Sequence, residues 1–224
     1  TINGIKYQIT KIADEAFAGC NKLKKVTIGK DVKSIGKYAF ENCANLKDVS
    51  MGNGVEQIEK AAFRNCNALK SIEITKNVER IDNEAFANCT KLKKAQIGKS
   101  VKSIAKKAFY NCTSLKEVEI GKSVKSIGKE AFFNCFKLSK IEIKSKELNK
   151  IDANAFEGIA SNAVFTLDKE VYSTLSALFT PEVGYKNTMK LEEKKSIWDY
   201  FGQNEDGEVE VVEEEMTEEE MDME

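Results

Sequence analysis

The apolar positions of this chain repeat with a single spacing. Phe17, Phe40, Phe63, Phe86, Phe109 and Phe132 each lie 23 residues apart, and Phe156 follows after 24. Ile12, Ile35, Ile58, Ile81, Ile104 and Ile127 keep the same beat, with Ile151 one residue late. Leu23, Leu46, Leu69, Leu92, Leu115 and Leu138 complete the frame, and the six cysteines run in register with it. One unit reads L-x-x-V-x-I-G-x-x-V-x-x-I-x-x-x-A-F-x-N-C-x-x. A fixed period in the twenties predicts a solenoid. A unit this short cannot bury its own apolar side, whereas stacked units share a continuous core.

Within a unit, Leu46-x-x-Val49-x-Met51 alternates as a strand does, with Val49 and Met51 inward. Val55-x-x-Ile58 supplies the next inward pair and predicts a second short strand. The glycines that follow most strands (Gly29, Gly52, Gly98, Gly121) suit a sharp corner. The stretch "KAAFRNC" has room for about one or two helical turns, with Phe63 as its plug into the core.

The ends depart from the beat. Ile5, Tyr7 and Ile9 alternate ahead of Ile12, which predicts an N-terminal cap over residues 1–11, and the repeats then run over 12–167. Ile159 takes the cysteine position of the last unit, and "VFTL" predicts a final strand. Val171, Tyr172, Leu175, Leu178 and Phe179 have helical spacing, which Pro181 ends, and "TMKLEE" predicts one more strand. This assigns 168–191 to a C-terminal cap. Residues 192–224 hold Trp198, Tyr200 and Phe201 and then an acidic stretch. The aromatic segment is either a short helix packed on the cap or a docking segment. The acidic stretch is either a solvated linker or an element that folds back on the basic array.

Charge divides the chain. It holds 35 Lys and Arg against 36 Asp and Glu, but twelve of the acids fall in Glu205–Glu224, where there is no base. Residues 1–204 therefore carry a formal charge of +11. Such a body attracts polyanions. With two arginines, and no aromatics interleaved in the basic runs, specific nucleic-acid reading is not expected. An acidic glycan stays open as a partner. No apolar run approaches the roughly 20 residues that span a bilayer, so no transmembrane segment is expected.

The six cysteines, Cys20, Cys43, Cys66, Cys89, Cys112 and Cys135, are the most conspicuous chemistry. Stacked units would bring neighbours within disulfide range, yet all six side chains should point the same way, into the core. There is no C-x-x-C, and a ladder is a line with no convergent point for a metal. A thiol nucleophile needs a base, and the chain has no histidine. Reduced packing thiols in a structural ladder are therefore expected, ahead of disulfides, metal or catalysis. No cofactor is expected either. Asn42, Asn65, Asn88, Asn111 and Asn134 precede five of the cysteines and suit turn positions with unusual backbone angles.

The repeat resembles the BspA-type leucine-rich repeat family, whose pattern is close to L-x-x-I-x-I-P-x-x-V-x-x-I-G-x-x-A-F-x-x-C. The likeness covers roughly residues 5–167, with one systematic departure: Gly stands where the family often has Pro after the strand. It implies a right-handed leucine-rich-repeat solenoid of the α/β type, with short parallel strands on one side and short helical or irregular segments on the other. It also implies a bacterial surface or secreted protein, many relatives being from anaerobes, with a role in adhesion or protein binding.

The exposed strand positions are the default binding face of a solenoid. Here they are Lys25, Thr27, Asp48, Ser50, Ser71, Glu73, Lys94, Gln96, Glu117, Glu119, Lys140 and Glu142. This row is polar, mixed in charge and free of the Trp, Tyr and Arg anchors of most hot spots. It suits either a solvated face or a polar face for a protein partner. Tyr38, Tyr110 and Phe133 offer an aromatic patch elsewhere on the coil. A non-enzymatic binding module is the first expectation. A structural spacer, or the recognition arm of a larger surface protein or enzyme, is the alternative.

Overall fold

The structure, a computed structural model, describes residues 8–194 together with the backbone of 201–203 and 209–211. The array is a parallel β-solenoid. Each coil contributes one four-residue strand: β2 (Lys25–Ile28), β4 (Asp48–Met51), β6 (Ser71–Ile74), β8 (Lys94–Ile97), β10 (Glu117–Ile120), β12 (Lys140–Ile143), β14 (Val164–Leu167) and β15 (Lys190–Glu193). β6, β8, β10, β12, β14 and β15 form one continuous sheet in chain order, while β2 and β4 pair separately. Seven two-residue strands form a second wall: β1 (Lys11–Ile12), β3 (Ser34–Ile35), β5 (Gln57–Ile58), β7 (Arg80–Ile81), β9 (Ser103–Ile104), β11 (Ser126–Ile127) and β13 (Lys150–Ile151). Partner residues are those one repeat apart, such as Ile35 with Ile58 and Val118 with Ile141. A slip by one residue would turn every inward Val and Ile out to water, so the register follows from the pattern.

The third wall is built of turns. No helix occurs among residues 8–167, so of the helical or irregular segments expected opposite the strands, "KAAFRNC" takes the irregular form. Two residues per coil adopt a left-handed backbone instead. Glu15, Tyr38, Ala61, Glu84, Lys107, Glu130 and Asn154 form one such column, with φ of 52–59°. Asn42, Asn65, Asn88, Asn111 and Asn134 form the other at 59–61°, closed at its ends by Gly19 and Gly158. These angles aim alternate N–H groups along the axis. Tyr38, Phe40 and Asn42 donate to the carbonyls of Lys60, Ala62 and Arg64 in the next coil at 2.8–2.9 Å. Ala39, Glu41 and Cys43 donate back to Gly36, Tyr38 and Phe40. Every amide of the turn thus finds an acceptor, as buried backbone requires.

Inside, the phenylalanines stack. Phe17, Phe40, Phe63, Phe86, Phe109, Phe132 and Phe156 follow one another at centroid separations of 5.1–5.5 Å with rings within 10° of parallel. At that separation the rings are offset, the favoured parallel geometry. The column ends on Phe165, which meets Phe156 edge-on at 5.0 Å and 85°. Phe179 and Tyr185 complete this aromatic end.

The segment read as a helix is one α-turn, Tyr172–Leu175, between 3-10 turns at Lys169–Val171 and Ser176–Leu178. Pro181 opens a further 3-10 turn, Pro181–Val183. β15 then adds to β14 in parallel. The N-terminal end of the core opens into a hollow of about 760 Å³ lined by Ile12, Phe17, Leu23, Val26 and Ile28. Ile5 and Tyr7, read as part of a cap, lie outside the described residues, as do Trp198, Tyr200 and most of the acidic stretch. Beyond Tyr200, β16 (Phe201–Gln203) pairs antiparallel with β17 (Val209–Val211).

Candidate binding surface

The thiols have definite partners. Cys43, Cys66, Cys89, Cys112 and Cys135 are fully buried, and all six cysteines are free. Each of the five donates its S–H to a carbonyl of the preceding coil. Cys43 bonds to Phe17 O at 3.0 Å, and Cys66, Cys89, Cys112 and Cys135 bond to Phe40, Phe63, Phe86 and Phe109 O at 3.2–3.3 Å. The same carbonyls accept the backbone N–H of the cysteine in their own coil. The thiol is therefore a small donor that fills the second lone pair of a buried carbonyl. Burial pushes the thiols of Cys43, Cys66, Cys89 and Cys112 up, with neighbouring sulfurs adding to the shift. A reactive thiolate needs the opposite environment. Cys20 alone is exposed. Among the described residues no group of three or more His, Cys, Asp or Glu is placed to hold a metal.

The asparagine column is structural in the same sense. Asn65 donates its amide to Asn42 Oδ1 at 2.7 Å, and Asn88 donates to Asn65 Oδ1 at 2.9 Å. Tyr110 and Phe133 stack on the outside at 5.4 Å. Tyr38 does not join them: it lies in the left-handed column three coils away, beneath Lys60 and Arg64. Arg64 also bridges Glu41 and Glu84.

The strand row lies on the outer face of the sheet. Lys25, Thr27, Asp48, Ser50, Ser71, Glu73, Lys94 and Lys140 are exposed, and Gln96, Glu117, Glu119 and Glu142 are half-buried. The two halves of the row differ. In the C-terminal half, Glu117 sits between Lys94 at 3.7 Å and Lys140 at 3.9 Å. Lys144 reaches Glu119 at 3.0 Å, and Lys194 reaches Glu142 at 3.0 Å. Those charges are largely satisfied within the chain. In the N-terminal half, Lys25, Asp48 and Glu73 make no ion pair among the described residues.

A further column escaped the reading of the sequence. Lys24, Lys47, Lys70, Lys93 and Lys116 follow the same leucine in five successive units. Their spacing of 23 was the available signal, obscured because the chain is rich in lysine throughout.

A stacked array of short parallel strands carrying this leucine frame is a leucine-rich-repeat solenoid. The model of the BspA type leucine rich repeat region matches in six copies, over residues 2–112 and 79–197, and the chain belongs to that family. A leucine-rich repeat protein from Bacteroides ovatus is similar at 26% identity and a TM-score of 0.53 over 86% of this chain. The chain spans 57% of that protein's length. The leucine-rich repeat protein of T. pallidum is similar at 21% identity and a TM-score of 0.45, with 83% of each chain covered. A search of the curated proteins returned no match. No helix among the described residues is long and apolar enough to cross a membrane.

Proposed function

We propose that this chain is a non-enzymatic binding module, displayed at a cell surface or secreted, that holds a protein partner against its strand face. The observation that carries the reading is the N-terminal half of the row. Lys25, Thr27, Asp48, Ser50, Ser71 and Glu73 stand exposed on paired parallel strands, and their charges have no partner within the described residues. Side chains on hydrogen-bonded strands lose little backbone freedom on binding, so less of the interaction energy goes into ordering. The buried, hydrogen-bonded thiols speak against nucleophilic chemistry in the core.

The test measures binding of the folded chain to a panel of extracellular matrix proteins by surface plasmon resonance. The double variant Asp48→Arg/Glu73→Arg is compared with Glu117→Gln, which alters the self-paired half. A panel member that binds the wild type, and binds the double variant at least roughly tenfold more weakly, supports the reading. Capture by no panel member, or binding indifferent to the double variant, overturns it. A second reading, a spacer or recognition arm of a larger protein, is favoured by the greater length of the Bacteroides ovatus relative. An adjoining catalytic domain in the full gene would select it.

A further inference from the structure

Between each cysteine and the strand that follows it, the chain runs four residues along one edge of the solenoid. Over six coils these are residues 21–24, 44–47, 67–70, 90–93, 113–116 and 136–139. The 24 positions hold eight lysines (22, 24, 47, 70, 91, 93, 116 and 137) and not one carboxylate. None of the eight takes part in an ion pair among the described residues. Other charged columns of the same molecule behave differently. Lys33 pairs with Glu56, Lys102 with Glu79 and Lys125 with Glu147, so opposite signs face one another across neighbouring coils.

Five of the lysines form an unbroken column. Lys47 N donates to Lys24 O, Lys70 N to Lys47 O, Lys93 N to Lys70 O and Lys116 N to Lys93 O, at 2.8–3.3 Å. Backbone pairing of this kind repeats every ~4.8 Å, so the five exposed ammonium groups are rooted along about 19 Å of the axis. Like charges held this close repel. At the end of the same strip stands Phe136, which is 57% exposed.

We infer that this edge is a docking strip for an anionic polysaccharide that carries one carboxylate per sugar unit. A sugar unit is about as long as a coil is thick, so the carboxylates on the facing side of such a chain fall at multiples of the lysine spacing. Phe136 offers a flat apolar face on which a sugar ring can stack. Nucleic acid fits less well. Each strand of a duplex places a phosphate every ~3.4 Å, out of step with the coils. Single strands are gripped by a series of stacked aromatics, and the strip has one. Arginine, the preferred fork for phosphate, is absent from it: Arg64 and Arg80 are both engaged with carboxylates. The inference concerns another column than the strand row, so it stands or falls separately from binding through Asp48 and Glu73.

The test uses the full chain and polygalacturonate at low ionic strength, with neutral dextran and a DNA duplex as comparators. Affinity is read by biolayer interferometry, and circular dichroism confirms that each variant is folded. The strip variant Lys47→Gln/Lys70→Gln/Lys93→Gln is set against Lys102→Gln/Lys125→Gln/Lys129→Gln, which removes the same charge elsewhere. The expected result is polygalacturonate binding that weakens at least roughly tenfold in the strip variant and less than about threefold in the control, since exposed pairs contribute little singly but sum along a column. Phe136→Ala should weaken it further without changing the salt dependence. Absence of polygalacturonate binding, equal losses in the two triple variants, or duplex DNA bound as tightly and through the same lysines would each overturn the inference.

Discussion

Truncating one ring in the middle of the phenylalanine column tests whether the stacked interior holds the coils together. Phe109 is fully buried and lies between Phe86 at 5.2 Å and Phe132 at 5.3 Å. Phe109→Ala removes a whole ring. The gap cannot close easily, because Phe86 N donates to Ala108 O and Phe109 N to Ala131 O at 2.8 Å, which keeps the coils at their spacing. A buried Phe→Ala change costs about 3–5 kcal/mol, and a site that cannot relax belongs near the top of that range. Phe17 is the internal control. It has the same register but is 42% exposed and stacks on one described neighbour, Phe40. Its truncation should cost about 1–2 kcal/mol, given partial burial and a single aromatic pair. Urea denaturation followed by circular dichroism measures both. Each coil touches only its neighbours, so Phe109→Ala should also broaden the transition as the two halves begin to unfold apart. If the two variants lie within about 1 kcal/mol of each other, the column is not what couples the coils, and the reasoning fails.

Two more outcomes follow from the same interior. The thiols of Cys43, Cys66, Cys89 and Cys112 are raised above the ordinary 9.0, so the folded chain keeps protons that the unfolded chain releases. Stability should therefore be flat in this respect below about pH 9 and fall above it, by up to about 1.4 kcal/mol per pH unit for each buried thiol. Urea midpoints at pH 8, 9.5 and 10.5 measure the slope, which Cys89→Ala/Cys112→Ala should reduce; a flat profile would contradict the burial argument. Gly158 has φ +75°, and a Cβ there would meet Asn134 Oδ1 at 2.7 Å. Gly158→Ala should cost about 1–2 kcal/mol from the left-handed backbone alone, while Asn111→Gly, in the same column, should change the melting temperature little.

What the amino-acid order determined by itself was the coil. Because inward positions recur every 23 residues, only one stacking register buries all of them, and the Phe, Ile, Leu and Cys columns could be assigned without coordinates. The thiol ladder and the strand row were legible for the same reason. The tertiary structure decided what the columns do. Tyr38, Glu84 and Lys107 share a left-handed backbone, yet their side chains have nothing in common that would announce it; only the coil-to-coil amide bonds require it. The cysteines read as filler until their S–H groups were seen to reach carbonyls one coil away, a partnership between residues 26 apart that no local pattern encodes. The strand row does not itself announce that Lys144 and Lys194 enter from outside it and pair with Glu119 and Glu142 in its C-terminal half. Phe17 and Cys20 keep perfect register and are nonetheless exposed, since periodicity places a side chain within its coil but does not set its burial. Hydrophobic spacing is a one-dimensional code for direction. Pairing of charges and satisfaction of donors are three-dimensional sums over adjacent coils, and those only the folded solenoid performs.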